Sequence, residues 1–238
     1  MDGVLADMDA ALARIAEQEF GVTAPPGAPA AAPADSAAGT AATAATAAEP
    51  GAAPPVYDTV LLNSLTARQQ SRLWQRVRET RNFWETLDEC EPGTVRRLQT
   101  LAHDLRWDVL FVTQRPATAG RTQQLQTQHW LKRRGFEYPA VYTTIGSRGA
   151  IAAALTLDAH IDDRLQHCVD VATESKAWPI LLWREAESYD RVRAGAVNLG
   201  IAVVRSVGEA LDRIERADRA AAQPGTPSLL DRLKRAFR

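Results

Sequence analysis

Met1-Asp2-Gly3-Val4-Leu5-Ala6-Asp7 and, far downstream, His160-Ile161-Asp162-Asp163-Arg164 are the two stretches that decide the fold. Each combines a short apolar run with carboxylates. In a parallel sheet the carboxyl ends of the strands share one edge, and ligands bind there. The two stretches therefore predict the two halves of a single site.

The bulk composition is that of a globular protein. The 238 residues are 45% hydrophobic and 24% charged, which is enough to bury a core. A net charge of -1 gives no reason to expect a nucleic acid or an anionic membrane as the main partner. Cys90 and Cys168 are too few for a disulfide framework or a structural zinc site, and we expect ordinary thiols in a reducing compartment. With no apolar leader and no run long enough to cross a bilayer, the sequence predicts a cytoplasmic protein without stable membrane insertion.

Composition shifts divide the chain into five segments. One of them is almost entirely Ala, Pro, Gly and Thr, so it has little apolar surface to bury and is predicted to be a disordered linker. Another has apolar side chains at helical spacing opposite a row of arginines, which predicts a small helical unit. The predicted segments are a partial core start (1–22), the linker (23–56), a helical cap (57–90), the main core (91–222) and a linker with a basic amphipathic tail helix (223–238).

Five apolar runs alternate with helical patterns in the main core. This alternation predicts right-handed crossovers and hence an α/β fold with a parallel, three-layer sheet. Thr113, Asp162 and Asp163 fall at carboxyl ends of these runs, where a ligand would bind. The predicted strands are Trp107–Thr113, Ala140–Ile145, Ala159–Asp163, Pro179–Trp183 and Ile201–Val204.

The order of these motifs resembles the haloacid dehalogenase (HAD) superfamily. The opening resembles its Asp-x-Asp-Gly-Val-Leu-x-Asp signature, and a strand ending in Thr, a basic residue opening a helix and a strand ending in Asp-Asp follow in the same order. The likeness covers most of the chain outside the linker and tail. Within that superfamily the small phosphatases of the 5'-nucleotidase, deoxy (pyrimidine) type are the most similar, largely through the segment 158–164. The resemblance implies a hydrolase: a magnesium-dependent phosphomonoesterase with a cap over its site, acting on a phosphorylated small molecule such as a nucleoside monophosphate.

The resemblance also assigns roles to individual residues. Asp2 would be the general acid/base and offer its carbonyl to Mg²⁺, while Asp162 and Asp163 would bind that ion, directly or through water. Thr113 would hold phosphoryl oxygens. Arg148 is the best match to the usual motif-three Lys, with Lys176 as the alternative. Substrate contacts are expected from Gly3, Gln114, Arg115 and Phe83, the last because its ring lies off the buried stripe and suits a nucleobase.

One departure from the family pattern concerns the nucleophile. Met1 stands at the x position, so the Asp that attacks phosphorus in the family, and the strand that carries it, are absent from this sequence. In HAD folds that strand lies between those ending here at Thr113 and Asp163, so we expect unpaired sheet edges, poor solubility and no phosphatase activity. The alternative is a catalytically inactive HAD domain that binds a phosphorylated ligand or a protein.

Taken singly, the motifs have simpler interpretations. An Asp-Asp pair after a strand is often only a helix cap, a lone Thr is a common strand residue, and Asp-Gly is a common turn. Phe83 has core packing as its alternative role. The four histidines are scattered along the sequence without the spacing of zinc ligands, which favours structural or surface roles.

Overall fold

The computed structural model describes residues 1–21, 60–144 and 146–221. The predicted linker (23–56) and tail (223–238) lie outside the described residues. Helices and parallel strands alternate through the main core, which confirms a mixed α/β fold. Among the described helices, none has the length and apolar character needed to cross a membrane.

The strands and helices follow the predicted order closely. The strands are β1 (Ala6–Asp7), β2 (Asp88–Glu89), β3 (Leu110–Thr113), β4 (Ala140–Thr143), β5 (Ala159–Asp162), β6 (Trp178–Leu182) and β7 (Ala202–Val204). The helices are α1 (Met8–Phe20), α2 (Val60–Ser64), α3 (Ala67–Glu79), α4 (Thr94–Leu105), α5 (Gln123–Arg133), α6 (Arg148–Ala154), α7 (Leu165–Glu174), α8 (Tyr189–Val197) and α9 (Val207–Ala221), with a 3-10 helix at Phe83–Glu85.

The parallel strands form two separate sheets, and the expected unpaired edges at β3 and β5 are present among the described residues. β3 pairs with β4 in parallel, and β5, β6 and β7 form a second parallel sheet in that order. β1 and β2 form a short antiparallel pair that the sequence did not predict. Within the described residues, β3 and β5 thus each have one edge without a strand partner.

Residues 1–3 lie between the carboxyl ends of β3 and β5. The Met1 amino group is 3.4 Å from the Val112 carbonyl oxygen on β3. Gly3 lies directly against the side chain of Asp163, which follows β5. Val112 and Ile161 are only half-buried, whereas Ile180, Leu181 and Leu182 of β6 are buried. The facing strands β3 and β5 therefore have the burial of edge strands.

The helical unit after the linker packs as its periodicity predicts. Leu73, Trp74 and Val77 of α3 are buried, and the arginines on its other side are exposed. Thr66 caps α3 in a capping box with Gln69, which stabilises the helix start. Leu73, Trp84 and Leu87 join α1 and β3 in the largest apolar cluster, so the unit shares its core with the sheet.

Candidate active site

The turn at residues 1–7 brings the opening motif against the sheet. Gly3 has φ +73°, and a Cβ at this position would lie 1.9 Å from Asp163 Oδ2. Both the backbone conformation and the close approach therefore require glycine. The turn is closed by the Leu5 amide, which donates to the Met1 carbonyl at 2.9 Å, and by the Gly3 amide, which donates to the Ala6 carbonyl at 3.0 Å.

Asp2 is held from two sides by groups that follow β3. Thr113 Oγ1 donates to Asp2 Oδ2 at 3.0 Å, and Arg115 Nε lies 3.1 Å from Oδ1 and 2.9 Å from Oδ2. Arg115 Nη2 completes a bidentate pair with Oδ1. Burial alone would raise the pKa of the Asp2 carboxyl, but the charge and hydrogen bonds of Arg115 lower it below its ordinary value. Asp2 is therefore an ionised carboxylate in a fixed orientation.

Arg115 is itself anchored on its far side. Its side chain has no exposed surface. Nη1 donates to Thr127 Oγ1 of α5 at 2.7 Å, and the guanidinium carbon lies 4.9 Å from the centroid of the Trp84 ring. Because the guanidinium is already bound by Asp2 and Thr127, its role here is to orient Asp2. The predicted substrate contact of Arg115 stays a prediction.

Asp162 is the second ionised carboxylate of the site. Its Oδ1 accepts from the Arg164 amide at 2.9 Å, His167 Nδ1 is 3.0 Å from both oxygens, and His160 Nε2 is 3.4 Å from Oδ2. Burial would raise the pKa of Asp162, but the hydrogen bonds with His160 and His167 hold that pKa well below the ordinary range. Two histidines that are scattered in sequence thus converge on one predicted metal ligand.

Asp163, the neighbouring residue, has the opposite behaviour. Burial and the adjacent charge of Asp162 raise the pKa of its carboxyl from 3.8 to about 7. Two adjacent carboxylates without a cation repel each other, so the second one retains its proton. Asp9, an exposed acid in the first turn of α1, has its pKa raised by partial desolvation and by the charge of Asp7. The site is therefore rich in carboxylates.

The raised pKa of Asp163 predicts a pH-dependent stability. Between 3.8 and about 7 the folded chain keeps a proton that the unfolded chain has lost, so the free energy of unfolding falls as pH rises through this window. Asp163→Asn removes the effect. We expect the variant to be more stable than the parent above pH 7 by on the order of 2 kcal/mol, with the two curves converging near pH 4. Urea denaturation across this pH range measures both curves, and a constant offset at all pH values would contradict the assignment.

Of the remaining predicted residues, Arg148 and Phe83 are buried, and Gln114 and Lys176 lie in loops. Arg148 opens α6, is buried, and donates from Nη1 to the Gly146 carbonyl at 3.3 Å. It is not among the described partners of Asp2. Phe83 is 3% exposed and packs edge-to-face on Trp84 with centroids 4.9 Å apart, a core position. Lys176 lies in the turn between α7 and β6, and Gln114 is half-buried directly after Thr113.

Two site residues that the sequence did not single out hold the opening turn. Arg184, after β6, donates to the carbonyls of Gly3 and Val4 and pairs with Glu91 at 2.8 Å. Glu91 in turn accepts from the Val207 amide at 2.9 Å at the start of α9. No sequence signal marks this pair, since its members are 93 residues apart. His160 was detectable, because residues two apart on a strand share a face and Asp162 follows it by two.

The donor atoms of the site suit magnesium and a phosphoryl group. Mg²⁺ prefers a few carboxylate and carbonyl oxygens and keeps several waters, and Asp162, Asp163 and the Asp2 carbonyl offer that chemistry. Among the described residues, no group of three or more His, Cys, Asp and Glu side chains is arranged to hold a metal ion. Comparisons with protein-family models, with curated proteins and with solved structures find no match to this chain.

Proposed function

We propose that this chain is the core of a magnesium-dependent phosphomonoesterase of the HAD type, with a three-layer sheet and a small helical cap. The observation that carries the proposal is the meeting of three separate segments at Gly3. Asp2 contacts Thr113, which ends β3, and Gly3 contacts Asp163, which follows β5. The three segments follow the family order in the sequence, and they also meet in space. Turns and helix caps that resembled the family motifs by chance would not have to meet in this way.

In this proposal each side chain has a distinct task. Asp2, ionised and oriented by Arg115, would act as a general base that takes a proton from the attacking water and then holds this proton for the next leaving group. Thr113 would offer its hydroxyl to a phosphoryl oxygen. Asp162 and Asp163 would hold Mg²⁺, which would offset the negative charge of the phosphoryl group. The substrate is a phosphorylated small molecule, and a nucleoside monophosphate is the class that the resemblance implies.

In this proposal the nucleophilic Asp lies at the end of a further strand between β3 and β5. Three features support this placement. Both flanking strands have an edge without a strand partner among the described residues, their apolar residues are half-buried, and the Met1 amino group lies at the carboxyl end of β3. A parallel strand there would join the two sheets into one with the order β4, β3, new strand, β5, β6, β7.

The test compares the chain that starts at Met1 with one extended by the roughly ten residues encoded in frame upstream, about one strand plus a lead-in. We expect hydrolysis of p-nitrophenyl phosphate and of nucleoside monophosphates only by the extended protein, with Mg²⁺ and not with EDTA. Asp2→Asn and Asp162→Asn should each lower kcat of the extended protein by ~100-fold or more. Asp212→Asn, an exposed acid on α9, is the matched control.

Two results would sink the proposal. One is an upstream reading frame that encodes no apolar run ending in Asp, and the other is undiminished turnover in Asp162→Asn.

A catalytically inactive HAD domain is the second candidate, and one observation favours it. Both oxygens of Asp2 are already bound by Arg115 and Thr113, so the acid/base is engaged within the protein. Isothermal titration of the extended protein with a nucleoside monophosphate and Mg²⁺ separates the two candidates. Saturable binding without product formation would support the inactive domain.

A further inference from the structure

The charge of the chain is strongly segregated. Residues 66–86 and 118–135, which include α3, the 3-10 helix and α5, contain nine Lys and Arg against two Glu, a net charge of +7. The whole chain has a net charge of -1, so the rest carries -8. The expectation of no nucleic-acid partner was based on the net charge of the whole chain, and this net charge does not show the separation of positive and negative regions. Local charge, rather than the total, determines what a surface attracts.

Backbone contacts bring the two basic segments together. The Ala119 amide donates to the Arg78 carbonyl at 2.7 Å, and the Asn82 amide donates to the Ala119 carbonyl at the same distance. The Arg121 amide donates to Asn82 Oδ1 at 2.9 Å. The end of α3 and the start of α5 are thus fixed side by side.

A single carboxylate lies at the centre of these cations. Glu85 Oε1 is 3.1 Å from Arg121 Nη1 and 3.6 Å from His129 Nδ1, and Oε2 is 3.2 Å from Arg133 Nη2. The Glu85 side chain is 9% exposed, whereas Arg121 and Arg133 are 46% and 55% exposed. This buried negative charge therefore orders Arg121 and Arg133. Arg72 and Arg76 of α3 pair with Glu19 of α1 at 3.3 and 3.5 Å, whereas Arg78 and Arg81 are in none of the ion pairs among the described residues. We call Arg78, Arg81, Arg121 and Arg133 the arginine face.

We propose that the arginine face binds the phosphate backbone of a nucleic acid without reading its base sequence. This interaction goes beyond the proposed phosphatase function and does not depend on it. The basic segments contain eight Arg and one Lys, and the planar guanidinium suits bidentate binding of phosphate oxygens.

The small number of exposed apolar residues favours a nucleic acid over a membrane as the partner of the arginine face. The one large exposed apolar residue of the two basic segments is Leu125 of α5, far less than an interfacial helix buries. The exposed tyrosines, Tyr138 and Tyr142, lie outside the two segments, so base stacking does not contribute and phosphate contacts remain.

Fluorescence anisotropy with a labelled 20-nucleotide single strand tests the proposal on the full chain. At low salt we expect Arg78→Gln/Arg81→Gln to bind ~10-fold more weakly than the parent, and the slope of log K against log salt to lose ~1.4, about 0.7 for each phosphate contact. The matched control is Arg191→Gln/Arg193→Gln on α8, which removes the same charge from exposed positions and should bind within ~2-fold of the parent. Arg78→Lys/Arg81→Lys keeps the charge and should restore most of the affinity.

Several outcomes would overturn the proposal. One is an equal loss of oligonucleotide affinity in both Gln double variants. Others are no oligonucleotide binding at 50 mM salt and an affinity that does not change with salt. A further one is binding to vesicles with 30% phosphatidylserine but not to the oligonucleotide. Circular dichroism melts of each variant show whether a loss of binding reflects a loss of folding. Arg78 and Arg81 are exposed, and neither is paired with Glu85, so both Gln variants should melt like the parent.

Discussion

Arg115→Met is expected to lower the free energy of unfolding by about 3–5 kcal/mol, the largest effect of any single side chain at the site. The Asp2 side chain is 9% exposed and that of Arg115 has no exposed surface, so the substitution leaves a carboxylate without its counter-ion in a buried position. Thr127 Oγ1 loses its donor and Trp84 loses the cation over its ring. Urea denaturation at pH 7 measures the loss.

A double variant separates the missing charge partner from the missing side-chain volume. Asp2→Asn/Arg115→Met removes both charges, and we expect it to recover part of the loss, since replacing a whole buried pair costs less than breaking it. Arg97→Met is the control, because Arg97 forms an ion pair with Asp212 in which the two side chains are 39% and 55% exposed. The loss of such an exposed, solvent-screened pair should lower the stability far less than the loss of the buried pair. A loss at Arg115 no greater than that at Arg97 would mean that the buried pair does not fix Asp2.

Gly149→Ala is expected to be the second most damaging change, at about 2–3 kcal/mol. A Cβ at Gly149, in the first turn of α6, would lie 2.2 Å from the Asp170 carbonyl oxygen and 2.7 Å from the Glu174 Cβ. The Asp170 contact is with the backbone of α7, which cannot rotate away as a side chain does. The two helices must therefore separate. A thermal melt followed by circular dichroism measures the lowered midpoint.

Gly195 provides the matched control for this substitution. It also lies within a helix, α8, and a Cβ there would meet nothing within 4 Å. Gly195→Ala should therefore be neutral or stabilise by up to ~1 kcal/mol, because alanine is the better helix former. Equal effects at the two positions would show that helix propensity, rather than the close approach of α6 to α7, determines the cost.

The positions of the strands and the gap between β3 and β5 were largely predictable, whereas the pairing of β1 with β2 was not. The apolar runs at 110–113, 140–143, 159–162, 178–182 and 202–204 carry a local signal, and each forms a parallel strand at or near its predicted bounds. The separation into two parallel sheets was expected from the family resemblance, which places the absent strand between β3 and β5. β1 and β2 have only two residues each, so their sequence pattern is too short to predict that they pair.

The site was predictable where the motif residues touch each other. Asp2, Thr113 and Asp163 were chosen from sequence order, and they converge. The role of Arg115 in fixing Asp2 was not predicted, since it depends on the direction of a side chain leaving the loop after β3. The buried position of Phe83 also escaped prediction, because helical periodicity does not extend into the 3-10 helix where it lies.

The ion pair between Arg184 and Glu91, which holds the opening turn, has a consequence for the order in which the protein folds. Arg184 reaches Gly3 and Val4 across about 180 residues of chain, and Glu91 reaches the start of α9 across 116. Contacts between such distant residues cost more loop-closure entropy than local contacts do, so we expect them to form after local structure. Residues 1–7 are synthesised before β6 and α9, yet their final position depends on contacts with both regions. The turn that carries Asp2 is therefore among the last parts of the chain to be assembled.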